Sequence, residues 1–241
     1  MGPLAILFDL DDTLLANPMD TFVPAYFRAL TRFMAGELPP GLLIDQLLRA
    51  TRAMDDNDDP VRSNEQAFAE AFFPGLGRKP GELKSSFESF YRDAFPQLRS
   101  LTAPVPGAVE AVRWAAGGGR QLVIATNPLF PRSAILQRME WAGLSIDELA
   151  IDLVTSYENM HATKFRPAYY AEIAERLGRR PDECVMVGDN WSWDVANSVA
   201  AGMAAWWIAP PDATAPDPQL GILGRGTLAE FLALARREWG E

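Results

Sequence analysis

A chain of 241 residues with 48% apolar and 22% charged side chains can bury a substantial core, as one large domain or two smaller ones. Its net charge of −10 excludes a general nucleic-acid binder, which needs a basic surface to displace counterions, and argues against adhesion to anionic membranes. The single cysteine, Cys184, excludes an intrachain disulfide and a cysteine-rich zinc site.

In chain order the first element is the apolar run Leu4-Ala5-Ile6-Leu7-Phe8, a strand candidate that meets acidic Asp9. It carries no basic leader, and no apolar stretch approaches the ~20 residues that span a bilayer, so the expected location is the cytoplasm. From about residue 16 to 103 the pattern is helical throughout, as in Phe22, Tyr26, Ala29, Leu30 and Phe33 at spacings of three and four. Ser63-Asn64-Glu65-Gln66 reads as a capping box opening a helix through Phe72. Pro39-Pro40 and the acidic loop 55–60 separate the helices.

Beyond residue 104 the period changes. The runs 122–125, 151–154, 185–187 and 205–208 are nearly all apolar, as strands covered on both faces require. Between them lie helices from about Pro131 to Ala142, Pro167 to Leu177 and Ser192 to Ala201, ending at Gly143, Gly178 and Gly202. Cys184 falls in one strand and reads as a core residue. A proline-rich loop from Pro210 to Pro218 precedes a last helix near 227–237. Strand alternating with helix predicts an α/β fold, a doubly wound, Rossmann-like parallel sheet. The organisation is thus a core of residues 1–15 and 104–241 with an all-helical cap domain, 16–103, inserted after the first strand.

In such sheets ligands sit beyond the carboxyl ends of the strands. Four polar clusters stand there: Asp9 and Asp11; Thr126-Asn127; Lys164; and Gly188-Asp189-Asn190 with Asp194 a turn further on. Of three lysines, Lys79 and Lys84 belong to the helical insertion, so Lys164 is the one the core can offer. Were Asp9, Asp11 and Asp189 to meet, each pair ~4 Å apart would repel by roughly 4 kcal/mol at an effective dielectric near 20, a cost that a cation removes. All-oxygen ligation with few carboxylates suits Mg2+, which shares a substrate phosphate, while Lys164 and amides near Asn127 take the remaining phosphate oxygens.

These motifs resemble the haloacid dehalogenase superfamily in its phosphatase branch. Asp9-Leu10-Asp11-Asp12-Thr13-Leu14 matches the first motif of that family residue for residue; Ala125-Thr126-Asn127, Lys164 and Gly188-Asp189-Asn190 through Asp194 resemble the second, third and fourth. One departure stands out. The third-motif lysine is usually followed directly by proline, and here the order is Lys164-Phe165-Arg166-Pro167. The resemblance implies that Asp9 is a nucleophile forming an aspartyl-phosphate and Asp11 the general acid and base. It implies that Thr126, Asn127 and Lys164 bind phosphate, and that magnesium sits on Asp9, the Asp11 carbonyl and Asp189. Asp194 and Asn190 support from behind, and Asp12 orients backbone. The implied activity is hydrolysis of a small phosphorylated metabolite by a monomer or homodimer.

Haloalkanoic acid dehalogenases of the same superfamily lack an aspartate where Asp11 stands, which argues against dehalogenation. A calcium-binding loop would need glycine at Leu14. A serine or cysteine hydrolase would need a base, and His161 is alone. Gly224-Arg225-Gly226 lacks the setting of a dinucleotide site. A phosphomutase or phosphotransferase, or a non-catalytic phosphate-binding protein on this fold, would keep all four clusters. Phe22, Tyr26, Arg28, Arg52 and Arg62 could face a substrate, and otherwise serve as cap core and surface charge.

Overall fold

The computed structural model describes residues 2–240. Six parallel strands form the main sheet: β1 (Ala5–Phe8), β4 (Gln121–Ile124), β5 (Leu153–Val154), β6 (Cys184–Gly188), β7 (Ala204–Ile208) and β8 (Gly224–Gly226), in the spatial order β5-β4-β1-β6-β7-β8. β1 lies between β4 and β6, pairing Phe8 with Ile124 on one side and with Val187 on the other. The chain leaves β1 in opposite directions to reach these neighbours, so their carboxyl ends border the crevice where such sheets bind ligands.

The pleat of β1 divides its side chains between two layers. Ile6 and Phe8 join the cluster made with α5 (Ala108–Gly117), α6 (Arg132–Trp141) and α9 (Leu228–Trp239). Ala5 and Leu7 face Tyr169, Tyr170 and Ile173 of α7 (Pro167–Leu177), with Cys184 buried among them as a core residue. α7 covers the range read from the sequence and starts on Pro167, whose fixed φ suits a first helical position. Gly143, Gly178 and Gly202 have φ of +80°, +65° and +95°, the left-handed turns expected of helix terminators.

A two-stranded antiparallel ribbon, β2 (Leu15–Ala16) with β3 (Ala103–Pro104), flanks the helical insertion. Between its strands run α1 (Met19–Phe33), α2 (Pro40–Asp55), α3 (Asn64–Leu76), α4 (Pro80–Ser89), a wide π-helical turn at Phe90–Ala94 and a tight one at Phe95–Leu101. The capping box at Ser63 is formed in both directions, Gln66 N–H to Ser63 Oγ and Ser63 N–H to Gln66 Oε1. Phe22 and Tyr26 are buried in the cap core, whereas Arg28 and Arg52 are exposed and Arg62 pairs with Glu70 at 3.2 Å.

Candidate active site

Asp9 is the first residue past β1. Its N–H donates to Val187 O at 2.9 Å, so the ladder with β6 continues one step and places the carboxylate at the sheet edge. Lys164, 2% exposed, donates from Nζ to Asp9 Oδ1 and to Asp194 Oδ1, the latter at 2.7 Å. The backbone of Lys164 is fixed on both sides: its N–H donates to Asn127 Oδ1 at 3.2 Å and its carbonyl accepts from Asn197 Nδ2 at 2.7 Å. Those two bonds serve the loop that lacks the usual Lys-Pro, since Pro167 enters only at the start of α7.

Asp194 comes from a π-helical turn, Trp191–Ala196, where the sequence pattern suggested ordinary helix from Ser192. The wider turn brings Asp194 Oδ2 back onto the Asn190 N–H at 3.0 Å, while Asn190 Oδ1 caps the Trp193 N–H at 3.0 Å. A Cβ at Gly188 would stand 2.4 Å from the Asp194 carboxyl, so only glycine admits this fold-back. Trp191 packs on Trp207 and Trp193 on Phe165, both edge to face. Asp189 Oδ1 accepts from Thr13 Oγ1 at 3.2 Å. Thr126 is buried, and its carbonyl accepts from Thr155 Oγ1 at 2.8 Å and Tyr169 OH at 2.9 Å. His161 pairs through Nδ1 with Glu172 at 2.8 Å.

Three carboxylates, Asp9, Asp189 and Asp194, offer oxygens within 4.8 Å of one another. This trio differs from the expected one: Asp194 stands where Asp11 was foreseen. The extended chain that would carry Asp11 to the same side stops at Phe8. The Asp11 carboxylate is instead held between Asn17 Nδ2, which donates to Oδ1 at 2.8 Å, and Arg138 Nη1, which donates to Oδ2. Asp12 then turns the chain with φ of +60°, and its Oδ1 accepts from the Asn17 N–H at 2.8 Å, an orienting role as foreseen.

Arg138 has no counterpart in the sequence reading. A signal existed: it lies on the same face of α6 as Ala134, Ile135 and Ala142, and a charge on a buried face needs a partner.

The site carries more negative charge than Lys164 can balance. Burial raises the Asp9 carboxyl well above the usual range; Lys164 opposes this, and Asp194, Asp189 and Asp11 add to it. Burial and then Asp194 push Asp189 up to about 7. At Lys164 burial disfavours the charge, but Asp194 and Asp9 outweigh it and hold the ammonium protonated. Both Asp194 oxygens are engaged, by Lys164 and by the Asn190 N–H, whereas Asp9 and Asp189 each have one oxygen engaged and the other left to donate. A small hard cation that keeps several waters, such as magnesium, fits this donor set.

The family model for haloacid dehalogenase-like hydrolases matches residues 3–202. Glyceraldehyde 3-phosphate phosphatase of Methanopyrus kandleri is 25% identical over 201 residues, covering 83% of this chain and 81% of the relative. Among solved structures, the HAD phosphatase of Thermococcus onnurineus superposes with a TM-score of 0.56 at 23% identity, over 100% of this chain and 99% of that one. The 2-haloacid dehalogenase of Pseudomonas syringae pv. Tomato DC3000 gives 0.67 at 22% identity, over 98% and 99%. The last two establish the fold, cap included, and leave the chemistry to the residues.

Proposed function

Because the chain belongs to the haloacid dehalogenase-like hydrolase family, we propose that it is a magnesium-dependent phosphatase hydrolysing a small phosphorylated metabolite through an aspartyl-phosphate on Asp9. The observation that carries this reading is the cluster of buried Asp9, Lys164 and Asp194 with half-buried Asp189, three carboxylates against one ammonium beside Thr126-Asn127. A transferring phosphoryl group needs such a preorganised cradle far more than it needs covalent machinery.

Lys164 holds one Asp9 oxygen, leaving the other to attack phosphorus. As the new P–O bond forms, the ester P–O bond breaks and the leaving oxygen takes a proton from Asp11. Asp11 must first be protonated and turn away from one of the two donors, Asn17 and Arg138, that hold its carboxylate here. Water then attacks the phosphoaspartate, giving its proton to Asp11, and inorganic phosphate departs with Asp9 restored. Lys164, Thr126 and Asn127 hold the phosphoryl oxygens throughout. Magnesium held by Asp9, Asp189 and the Asp11 carbonyl would neutralise charge on the transferring group. Asp11 also separates this reading from dehalogenation, which has no leaving oxygen to protonate. Residues 16–103 act as a cap over the core of 1–15 and 104–241. No helix among the described residues is long and apolar enough to cross a membrane, and we place the enzyme in the cytoplasm.

The test is phosphate release from p-nitrophenyl phosphate and a panel of phosphorylated metabolites, with magnesium and with chelator. We expect magnesium-dependent turnover that Asp9→Asn lowers by on the order of 10³ or more while the chain keeps its fold and a cooperative urea transition. Transfer of phosphate to a sugar instead of water would mark a mutase. Release of halide from 2-chloropropionate, with no phosphate from any ester, would overturn the reading.

A further inference from the structure

Arg138 is 1% exposed, and its Cζ stands 4.8 Å from the centroid of the Phe130 ring. Phe130 packs edge to face on Tyr26 of α1, with centroids 5.3 Å apart, so the guanidinium lies where the core meets the cap. Nη1 donates to Asp11. Nε and Nη2 are buried without any hydrogen-bond partner among the described residues. An arginine keeps its charge even when buried, and each unmade bond of a buried donor costs about 1–3 kcal/mol.

The two unused groups are not scattered. Nε–H and the neighbouring Nη2–H point the same way along one edge of the planar guanidinium, the edge that receives a carboxylate through two parallel hydrogen bonds. The partner that Arg138 does have identifies where this edge lies in the reaction. On the phosphatase reading, Asp11 protonates the leaving oxygen, so a guanidinium clamped to Asp11 neighbours the leaving group and not the phosphoryl group. On the same reading the phosphoryl group is held by Lys164, which bonds the nucleophile Asp9.

We propose that Arg138 determines specificity: its Nε–Nη2 edge takes a carboxylate of the leaving group, so the preferred substrates are short phosphorylated carboxylic acids. This rests on the phosphatase reading and narrows it. Neutral phosphorylated aldehydes and sugars would leave the edge unpaired, and a site built to bond a group rejects analogues lacking it far more strongly than an apolar pocket does. The edge is closed to solvent, so a carboxylate reaches it only when the packing of Phe130 on Tyr26 parts.

The experiment compares matched pairs: 3-phosphoglycerate with glyceraldehyde 3-phosphate, and phosphoglycolate with 2-hydroxyethyl phosphate. The wild-type enzyme should favour each acid at least 10-fold in kcat/KM. Arg138→Gln should erase most of that preference, chiefly through KM for the acids, and Arg138→Lys should restore part of it. Calorimetry on Asp9→Asn, which keeps Arg138 in place, should show phosphoglycolate binding at least 10-fold tighter than 2-hydroxyethyl phosphate. Turnover of p-nitrophenyl phosphate with no preference for the acids overturns this proposal and leaves the phosphatase reading standing. So does an equal loss on both members of each pair in Arg138→Gln, which would confine Arg138 to positioning Asp11. If no ester at all is hydrolysed, the phosphatase reading falls and this proposal with it.

Discussion

The strand ends beneath the site are built from charge, and the cap above it from aromatic rings. Below, Asp9, Asp194 and Lys164 bond one another and Asp189 is held by the Thr13 hydroxyl beside them. Above, Tyr26, Phe90, Tyr91 and Phe95 interlock edge to face, with a single polar link, Tyr26 OH to Tyr91 OH at 3.0 Å. Cap and core are further joined by a polar seam. Asn57 donates to His161 O at 2.8 Å, the Asn64 N–H to Met160 O at 2.8 Å, and the Asn64 side chain to Ala162 O at 3.1 Å. The floor stores electrostatic cost in fixed geometry, as a catalytic centre must. The cap packs on the core through buried apolar surface and through a few bonds to the loop that ends in Lys164.

Removing the cation of the floor should therefore have the largest effect. Lys164→Met leaves Asp9 and Asp194 buried without their shared counterion, a loss of about 3–5 kcal/mol by analogy with broken buried pairs. The loss should be greater at pH 8 than at pH 5.5, since a proton can replace the ammonium as acidity rises. Urea unfolding at the two pH values checks this. A loss below 1 kcal/mol at pH 8 would show that the carboxylates are not held as a unit.

The seam should respond less and differently. Asn64 is fully buried, and Asn64→Ala leaves the Ala162 carbonyl without its side-chain donor, for a loss of about 1–3 kcal/mol. Amide exchange in residues 157–166 should quicken while the strands keep their protection. Equal quickening in β1 and β6 would mean that the seam and the floor unfold together, and the contrast between them would fail.

Sequence exposed the floor far better than the roof. Asp9 and Asp189 follow apolar runs too regular to miss, and Lys164, in the connection after the run 151–154, stands out as the one lysine outside the helical insertion. Asp194 is expected at the site as a supporting residue; that its carboxylate stands within the trio depends on a π-helical turn whose spacing differs little from that of an α-helix over so few residues. The ribbon of β2 and β3 has two residues on each side, too few to show a period of two. The seam is formed by asparagines whose carbonyl partners lie about a hundred positions away, and no local pattern announces such bonds. β8 was hidden for another reason: two of its three residues are glycines, which carry no strand pattern, and the strand exists because β7 supplies its ladder.

The smallest effect belongs to the acidic end of α2, which borders the seam. Burial pushes the Asp55 carboxyl up to about 6 from its ordinary 3.8, with Asp56 adding to the shift and Arg166 opposing it. The folded chain thus holds this proton more tightly than the unfolded chain does. The stability it contributes is present below pH 4 and is lost as pH rises through 6. Asp55→Asn removes the titration while keeping the shape. Its melting temperature relative to the parent should climb between pH 4 and pH 6.5 and level off above pH 7. A constant offset across that range would mean that Asp55 faces solvent in the working protein. The loop of residues 55–60 would then carry only surface charge, and the seam would begin at Asn57.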